Sequence, residues 1–253
     1  MAATLALPKQ LSFLGKARAI IRITLMAGLL LVCIVCYYVS HLLRLPNPWP
    51  RIFLGGVAWL AGVQLTYRGQ KARGGVLLIA NHVSWIDVPA LAAASGSAFV
   101  GHDGLAAMPL LEWLCRMNRT VFIARHDRTS VASQVEAVRA ALSDSGALAI
   151  FPEGTTSDGT GLLLFKSSLL SAFEPLPAGI AVQPVLLDYG AEAADISWIG
   201  EEPGLDNFLR ILARARPVQL TIHYLPVLSG ESLHNRKTIA QAARDAILQQ
   251  LAG

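Results

Sequence analysis

Polar and apolar positions divide the chain into two regimes. From Ile23 to Leu43 the run ITLMAGLLLVCIVCYYVSHLL contains no Asp, Glu, Lys or Arg. As a helix it reaches about 30 Å, the thickness of a bilayer's hydrocarbon core. Pro46, Pro48 and Pro50 then stop the helix and set a turn. A second uncharged stretch, Ile52 to Tyr67, is shorter and holds Gly55, Gly56 and Gly62. Together these stretches predict a hydrophobic helical hairpin that crosses a membrane twice or dips into one leaflet. A buried helix pair in a soluble protein is the competing reading. A cleaved signal peptide is disfavoured, because the apolar core is long, starts late and lacks a small-x-small site after it. Cys33 and Cys36 lie inside the run without polar company, which argues against a redox or metal role.

From Gly74 onward short apolar runs alternate with helical spacing. Strands are predicted at Val76–Ala80, Ala98–His102, Thr120–Ala124, Ala147–Phe151, Ile180–Tyr189 and Val218–Leu225, the last with the alternation of an edge strand. Helices are predicted at Asp87–Ala94, Met108–Met117, Ser130–Ser143 and Arg236–Leu251. Non-alternating apolar strands separated by helices mean an α/β fold, a mostly parallel central sheet with helices on both faces. The expected organisation is a basic membrane-associating segment over 1–73 and a catalytic domain over 74–253. The polar stretch Ala191–Pro217 reads as an insertion between strands.

Composition sharpens this division. Charged residues are 15% of the chain and hydrophobic residues 53%, with a mean hydropathy of +0.48, so disorder is excluded as the main state. Three cysteines cannot build a disulfide scaffold. The net charge of +4 is a sum of opposites: Met1 to Gly75 carries nine Lys/Arg and no acid, while the remainder carries 12 basic and 17 acidic residues. That asymmetry points to a membrane surface and away from a nucleic-acid binder. Positive residues before Ile23 and after Tyr67 outnumber Arg44 and Arg51 at the apex, which predicts both hairpin ends, and the body, on the cytoplasmic side.

Ligands of such sheets gather where strands give way to loops. One junction is Asn81-His82-Val83-Ser84-Trp85-Ile86-Asp87 after the VLLIA strand. A turn there can bring the Asp87 carboxylate to the His82 imidazole, holding its tautomer and leaving the other nitrogen as a base. Ser84 and Asp87 also fit a capping box, the bland alternative. The second junction is Phe151-Pro152-Glu153-Gly154-Thr155-Thr156-Ser157-Asp158-Gly159, whose small residues let backbone amides approach an anion. It lacks the lysine of a Walker A loop, so a nucleotide triphosphatase is disfavoured; a plain surface turn is the alternative. In a third element, Phe122-Ile123-Ala124-Arg125-His126-Asp127-Arg128, two arginines could clamp a phosphate or carboxylate.

Asn81-His82-x4-Asp87, Phe122-Ile123-x-Arg125, Phe151-Pro152-Glu153-Gly154-Thr155 and Val182-x-Pro184-Val185 resemble, in order and spacing, the four motifs of the glycerolipid (PlsC-like) acyltransferases. The resemblance covers about Gly74 to Tyr189. It implies that His82 is a general base on the free hydroxyl of a lysolipid and that Asp87 supports it. Arg125, Glu153, Gly154 and Thr155 would bind the acceptor head group, with Lys166 as a further cation. The acyl donor would be acyl-CoA or acyl-carrier protein; no metal and no other cofactor is implied. The expected product is phosphatidate from 1-acylglycerol-3-phosphate. Two departures bear on that acceptor: Thr156 stands where many phosphatidate-forming members have arginine, and His102 where a basic residue is frequent. The stretch from Glu153 to Gly159 is also similar to that of the lyso-ornithine lipid acyltransferases, whose acceptor has no phosphate. An α/β-hydrolase is disfavoured, because no Gly-x-Ser-x-Gly elbow occurs. A non-catalytic membrane lipid-binding protein is the alternative of another class.

Overall fold

The apolar run and the basic segment before it form one 30-residue helix, α1 (Phe13–Leu42), in a computed structural model that describes residues 11–102, 109–123, 136, 138–142 and 145–253. The Ser12 hydroxyl starts the helix by accepting the Gly15 N–H at 3.1 Å. After the proline-rich turn, α2 (Trp49–Ala61) begins with Pro50 in its first turn and ends at Gly62, whose φ of +91° breaks the helix. The chain then enters a strand, β1 (Val63–Arg68).

The helical hairpin is present, and its short second arm bears on one of the two expected arrangements, the double crossing. Only 13 residues of Ile52's stretch and its flank are helical, reaching about 20 Å, too short for a bilayer core. Helix α2 packs against α1 on one side and α3 (Asp87–Ser95) on the other, and Arg51 at its start donates to the Ala93 carbonyl of α3. Helix α2 therefore lies between α1 and α3 and is too short for a second full crossing, while Leu42, Leu43 and Leu45 at the apex stay exposed.

The strands β2 (Val76–Ala80), β3 (Ala98–His102), β4 (Val121–Ile123), β5 (Ala147–Ile150), β6 (Ala181–Asp188) and β7 (Val218–Tyr224) join β1 in one sheet of order β1-β7-β6-β2-β5-β3-β4. Only the β6–β7 pair is antiparallel. Strand β7 is covered by β1 and is not the edge; its alternation arises because one of its faces is less completely covered. Helix α4 (Pro109–Met117) precedes β4. Of the helix expected over Ser130–Ser143, most lies outside the described residues, but 138–142 are helical and bury Val138, Ala141 and Leu142. The supposed insertion contains a short helix, Ala193–Ile196, and the helix α5 (Gly204–Leu212). Helix α6 (Arg236–Ala252) closes the chain behind a capping box formed by Asn235 and Thr238.

All five residues of β2 are buried, and alternate side chains serve opposite faces. Val76, Leu78 and Ala80 pack with α2, α3 and α5; Leu77 and Ile79 pack with Leu148, Phe173 and α6 residues Ile239 and Ala243. Each buried Leu or Ile contributes about 1.5–3 kcal/mol. Parallel register pairs Ile79 with Ile150 and Ala80 with Val185, so β2 and β5 end within one residue of each other and β6 runs three residues further, to Asp188. Three loops meet at that edge.

Candidate active site

The middle strand delivers Asn81 and His82 to the edge. The Asn81 side chain prolongs the β2–β6 ladder by one step: its amide donates to Leu187 O at 3.1 Å and its carbonyl accepts Leu187 N–H at 2.7 Å. The backbone beyond it is thus fixed before it turns. His82 Nδ1 lies 2.7 Å from Asp87 Oδ2. That oxygen also accepts the amides of Val83 (2.6 Å) and Ser84 (2.8 Å), while Oδ1 accepts the hydroxyl of Tyr189. Asp87 is fully buried, and this ring of donors replaces the water it has lost. Burial, reinforced by the charge of Asp87, pushes the Tyr189 phenol well above its ordinary range, so it stays a donor.

Only half of the capping-box alternative is made: Asp87 Oδ2 accepts Ser84 N–H, and the Ser84 hydroxyl does not accept in return. Asp87 is the first residue of α3 but turns its carboxylate back onto the 82–84 loop, and the Ser84 hydroxyl donates to Asn207 Oδ1. Phe151, at the end of β5, stacks on His82 with centroids 4.3 Å apart and planes inclined by 19°. The imidazole is therefore held by Asp87 at Nδ1 and by Phe151 on one face, while its side chain remains 21% accessible. Such a ring can take a proton at Nε2 and share the charge with a buried carboxylate.

Glu153 is 1% exposed and commits both oxygens to backbone: Oε1 accepts His82 N–H at 2.8 Å and Oε2 accepts Leu163 N–H at 2.9 Å. Burial raises its carboxyl above the usual range against the pull of those two amides. Gly154 adopts φ +69°, and a Cβ there would lie 3.1 Å from Lys166 Nζ, so the lysine rests on the glycine. Thr155 is exposed beside it. The Thr156 hydroxyl donates to Trp198 O, and Trp198 N–H donates to Val83 O at 2.9 Å, tying the loop to the 82–84 segment. The structure thus brings His82, Asp87, Glu153, Gly154, Thr155 and Lys166 to one sheet edge. Arg125 and Arg128 lie outside the described residues, and the His102 side chain is likewise not described.

Sequence reasoning missed Tyr189 and Asn207. Tyr189 ends a buried apolar strand and looks like core; its place at a strand's C-terminal end was the available signal. Asn207 lies on α5, fully buried, and bridges Ser84 to Ser197 O and Glu202. Arg210 pairs with Glu202 at 2.8 Å and holds its carboxyl below the ordinary range.

A family model described as Acyltransferase matches residues 64–188. A lyso-ornithine lipid O-acyltransferase of Rhodobacter capsulatus is 30% identical over 96% of this chain and 91% of its own length. The chain belongs to the PlsC-type acyltransferase family. This acyltransferase is also 33% identical to the lyso-ornithine lipid O-acyltransferase of Rhizobium meliloti, over 82% of this chain and 74% of that one. A 1-acyl-sn-glycerol-3-phosphate acyltransferase of Neisseria meningitidis is 29% identical over 68% of each chain. The crystal structure of the 1-acyl-sn-glycerophosphate acyltransferase PlsC from Thermotoga maritima superposes with a TM-score of 0.62 at 19% identity, covering 93% of this acyltransferase and 96% of that chain. The acyltransferase thus shares its fold.

Proposed function

We propose that this enzyme transfers a fatty acyl group from an acyl thioester to the free hydroxyl of a lysolipid, with lyso-ornithine lipid as the acceptor. The observation that carries the mechanism is the 2.7 Å contact between His82 Nδ1 and the buried Asp87 carboxylate. With Nδ1–H given to Asp87, Nε2 takes the proton of the acceptor hydroxyl as its oxygen attacks the thioester carbonyl. The carbon–sulfur bond then breaks, and the imidazolium returns its proton to the departing thiolate. Asp87 stabilises the imidazolium throughout, and Tyr189 stabilises Asp87. No acyl-enzyme is needed.

Two observations favour lyso-ornithine lipid over 1-acylglycerol-3-phosphate, the acceptor to which the motifs alone point first. Relatives at 30–33% identity are named for lyso-ornithine lipid. Thr156 offers no charge to a phosphate and spends its hydroxyl on Trp198 O. The donor in this reading is acyl-CoA or acyl-carrier protein. Helix α1, whose most apolar 18 residues have a mean hydropathy of 2.6 and which exposes Leu25, Leu31, Val32 and Val35, holds the enzyme at a membrane, on the cytoplasmic face where such thioesters are made.

The test is labelled acyl-CoA and acyl-carrier protein offered with each lysolipid in mixed micelles. Faster turnover of lyso-ornithine lipid than of 1-acylglycerol-3-phosphate is expected. The reverse order would overturn the acceptor, and no product from any lysolipid would favour a lipid-binding role without catalysis.

A further inference from the structure

Next to the His82 loop lies a cavity of about 380 Å³, walled by residues of the segment from Thr156 to Leu163 and by Ile199. Ser157, one of its lining residues, ties it to the backbone of the proposed base. Ser157 donates to His82 O through both its amide (2.7 Å) and its hydroxyl (3.1 Å). Gly159, at φ +74°, lies so close to Val83 that a Cβ would sit 3.2 Å from that side chain. A larger cavity, of about 830 Å³, opens at the other end of the strands around Gly74, Gly75 and Gly146 and is remote from His82.

The smaller cavity is two-sided. Leu162, Leu163 and Ile199 form an apolar wall; hydroxyls and Asp158 form the other. Asp158 carries the only charge among the residues lining it. Its Oδ1 accepts both the amide and the hydroxyl of Thr160, each at 2.9 Å, and these bonds hold the carboxyl below its usual range, hence ionised. Lys166 does not line the cavity; its ammonium rests against Gly154. The loop therefore presents an anion and a cation at separate points. A single anion in the mouth repels a phosphate dianion and attracts an ammonium.

We infer that this cavity receives the cationic part of the acceptor's head group, with Asp158 as its counter-ion, and so selects an ammonium-bearing lysolipid against a phosphate-bearing one. The inference rests on the acceptor proposed above. Ornithine supplies the complementary charges: its side-chain ammonium faces Asp158 and its carboxylate is matched by Lys166.

Asp158→Asn tests it, because the asparagine keeps an oxygen for Thr160 and removes only the charge. With lyso-ornithine lipid in mixed micelles, KM should rise about five- to tenfold with kcat nearly unchanged, the loss of one charge-assisted hydrogen bond. With 1-acylglycerol-3-phosphate the same substitution should leave kcat/KM unchanged or raise it. Acetylating the ornithine side-chain amine of the lysolipid should weaken its use by the wild type and not by Asp158→Asn. A variant with wild-type KM for lyso-ornithine lipid, or one equally sensitive to the acetylation, would overturn the role of Asp158 while leaving the acceptor intact. A wild-type enzyme that acylates 1-acylglycerol-3-phosphate but not lyso-ornithine lipid would overturn the acceptor and this assignment with it.

Discussion

At the scale of single residues, the site is organised around a carboxylate that cannot reach water. Asp87 is fully buried and is met by His82, two amides and the Tyr189 hydroxyl. Tyr189→Phe removes one donor and leaves the packing. The carboxylate then loses one of the bonds that hold it against the imidazole. The expected result is a kcat lower by about tenfold with KM little changed. Glu153 gives a second prediction. Its carboxyl is raised above the ordinary value of 4.5, so between that value and the raised one the folded state binds more protons than the unfolded state. Stability should therefore fall as pH rises through that window, and Glu153→Gln should flatten the slope in thermal unfolding curves. His82 and Asp87 were legible as a pair from five-residue spacing after a buried strand. Glu153 was legible only as a member of a loop; its use of both oxygens on backbone amides depends on where residues 82 and 163 come to lie. Tyr189 was hidden because an aromatic at the end of an apolar strand has the signature of core.

At the scale of elements, helix ends explain residues that charge counting assigns to a membrane surface. Arg18 donates to Ala213 O at 2.6 Å, and Arg22 to Leu212 O and Arg214 O, so α1 satisfies the carbonyls at the end of α5. Arg51 and Lys71 do the same for α3 through Ala93 O and Ser95 O. Helix α5 in turn holds Ser84 of the His82 loop through Asn207. Replacing Arg18 and Arg22 by Ala should lower stability by about 1–3 kcal/mol, and it should lower kcat as the α5–Ser84 contact loosens. Unchanged kcat in a demonstrably destabilised variant would mean that α5 does not position the loop. The parallel strands were legible because VLLIA and ALAI are short apolar runs bounded by Gly75 and Gly146. β1 was not, since it lies inside the uncharged stretch that begins at Ile52; Gly62 and the brief alternation Val63-Gln64-Leu65-Thr66-Tyr67 were its signals. α5 was overlooked although Phe208, Ile211 and Leu212 recur at helical spacing, because acids and arginines dominate that stretch.

For the whole molecule, the acid-free N-terminal quarter has two roles rather than one. Four of its nine basic residues join the body to helix ends, and the outward face of α1 presents Leu31 and Val35, 66% and 62% exposed. Leu31→Lys with Val35→Lys should reduce partition onto phospholipid vesicles at least tenfold, since a charge at the centre of an inserted helix costs about 2.5–3.5 kcal/mol. Catalysis on micellar acceptor should persist in that variant, because the site lies on the sheet edge and not on α1. The account as a whole depends on one imidazole. His82→Ala, assayed with acyl thioester and lyso-ornithine lipid beside a matched unfolding curve, should lose about 10²–10⁴-fold in kcat while keeping its fold and its vesicle binding. Acyl transfer at a near-wild-type rate by that variant would contradict it.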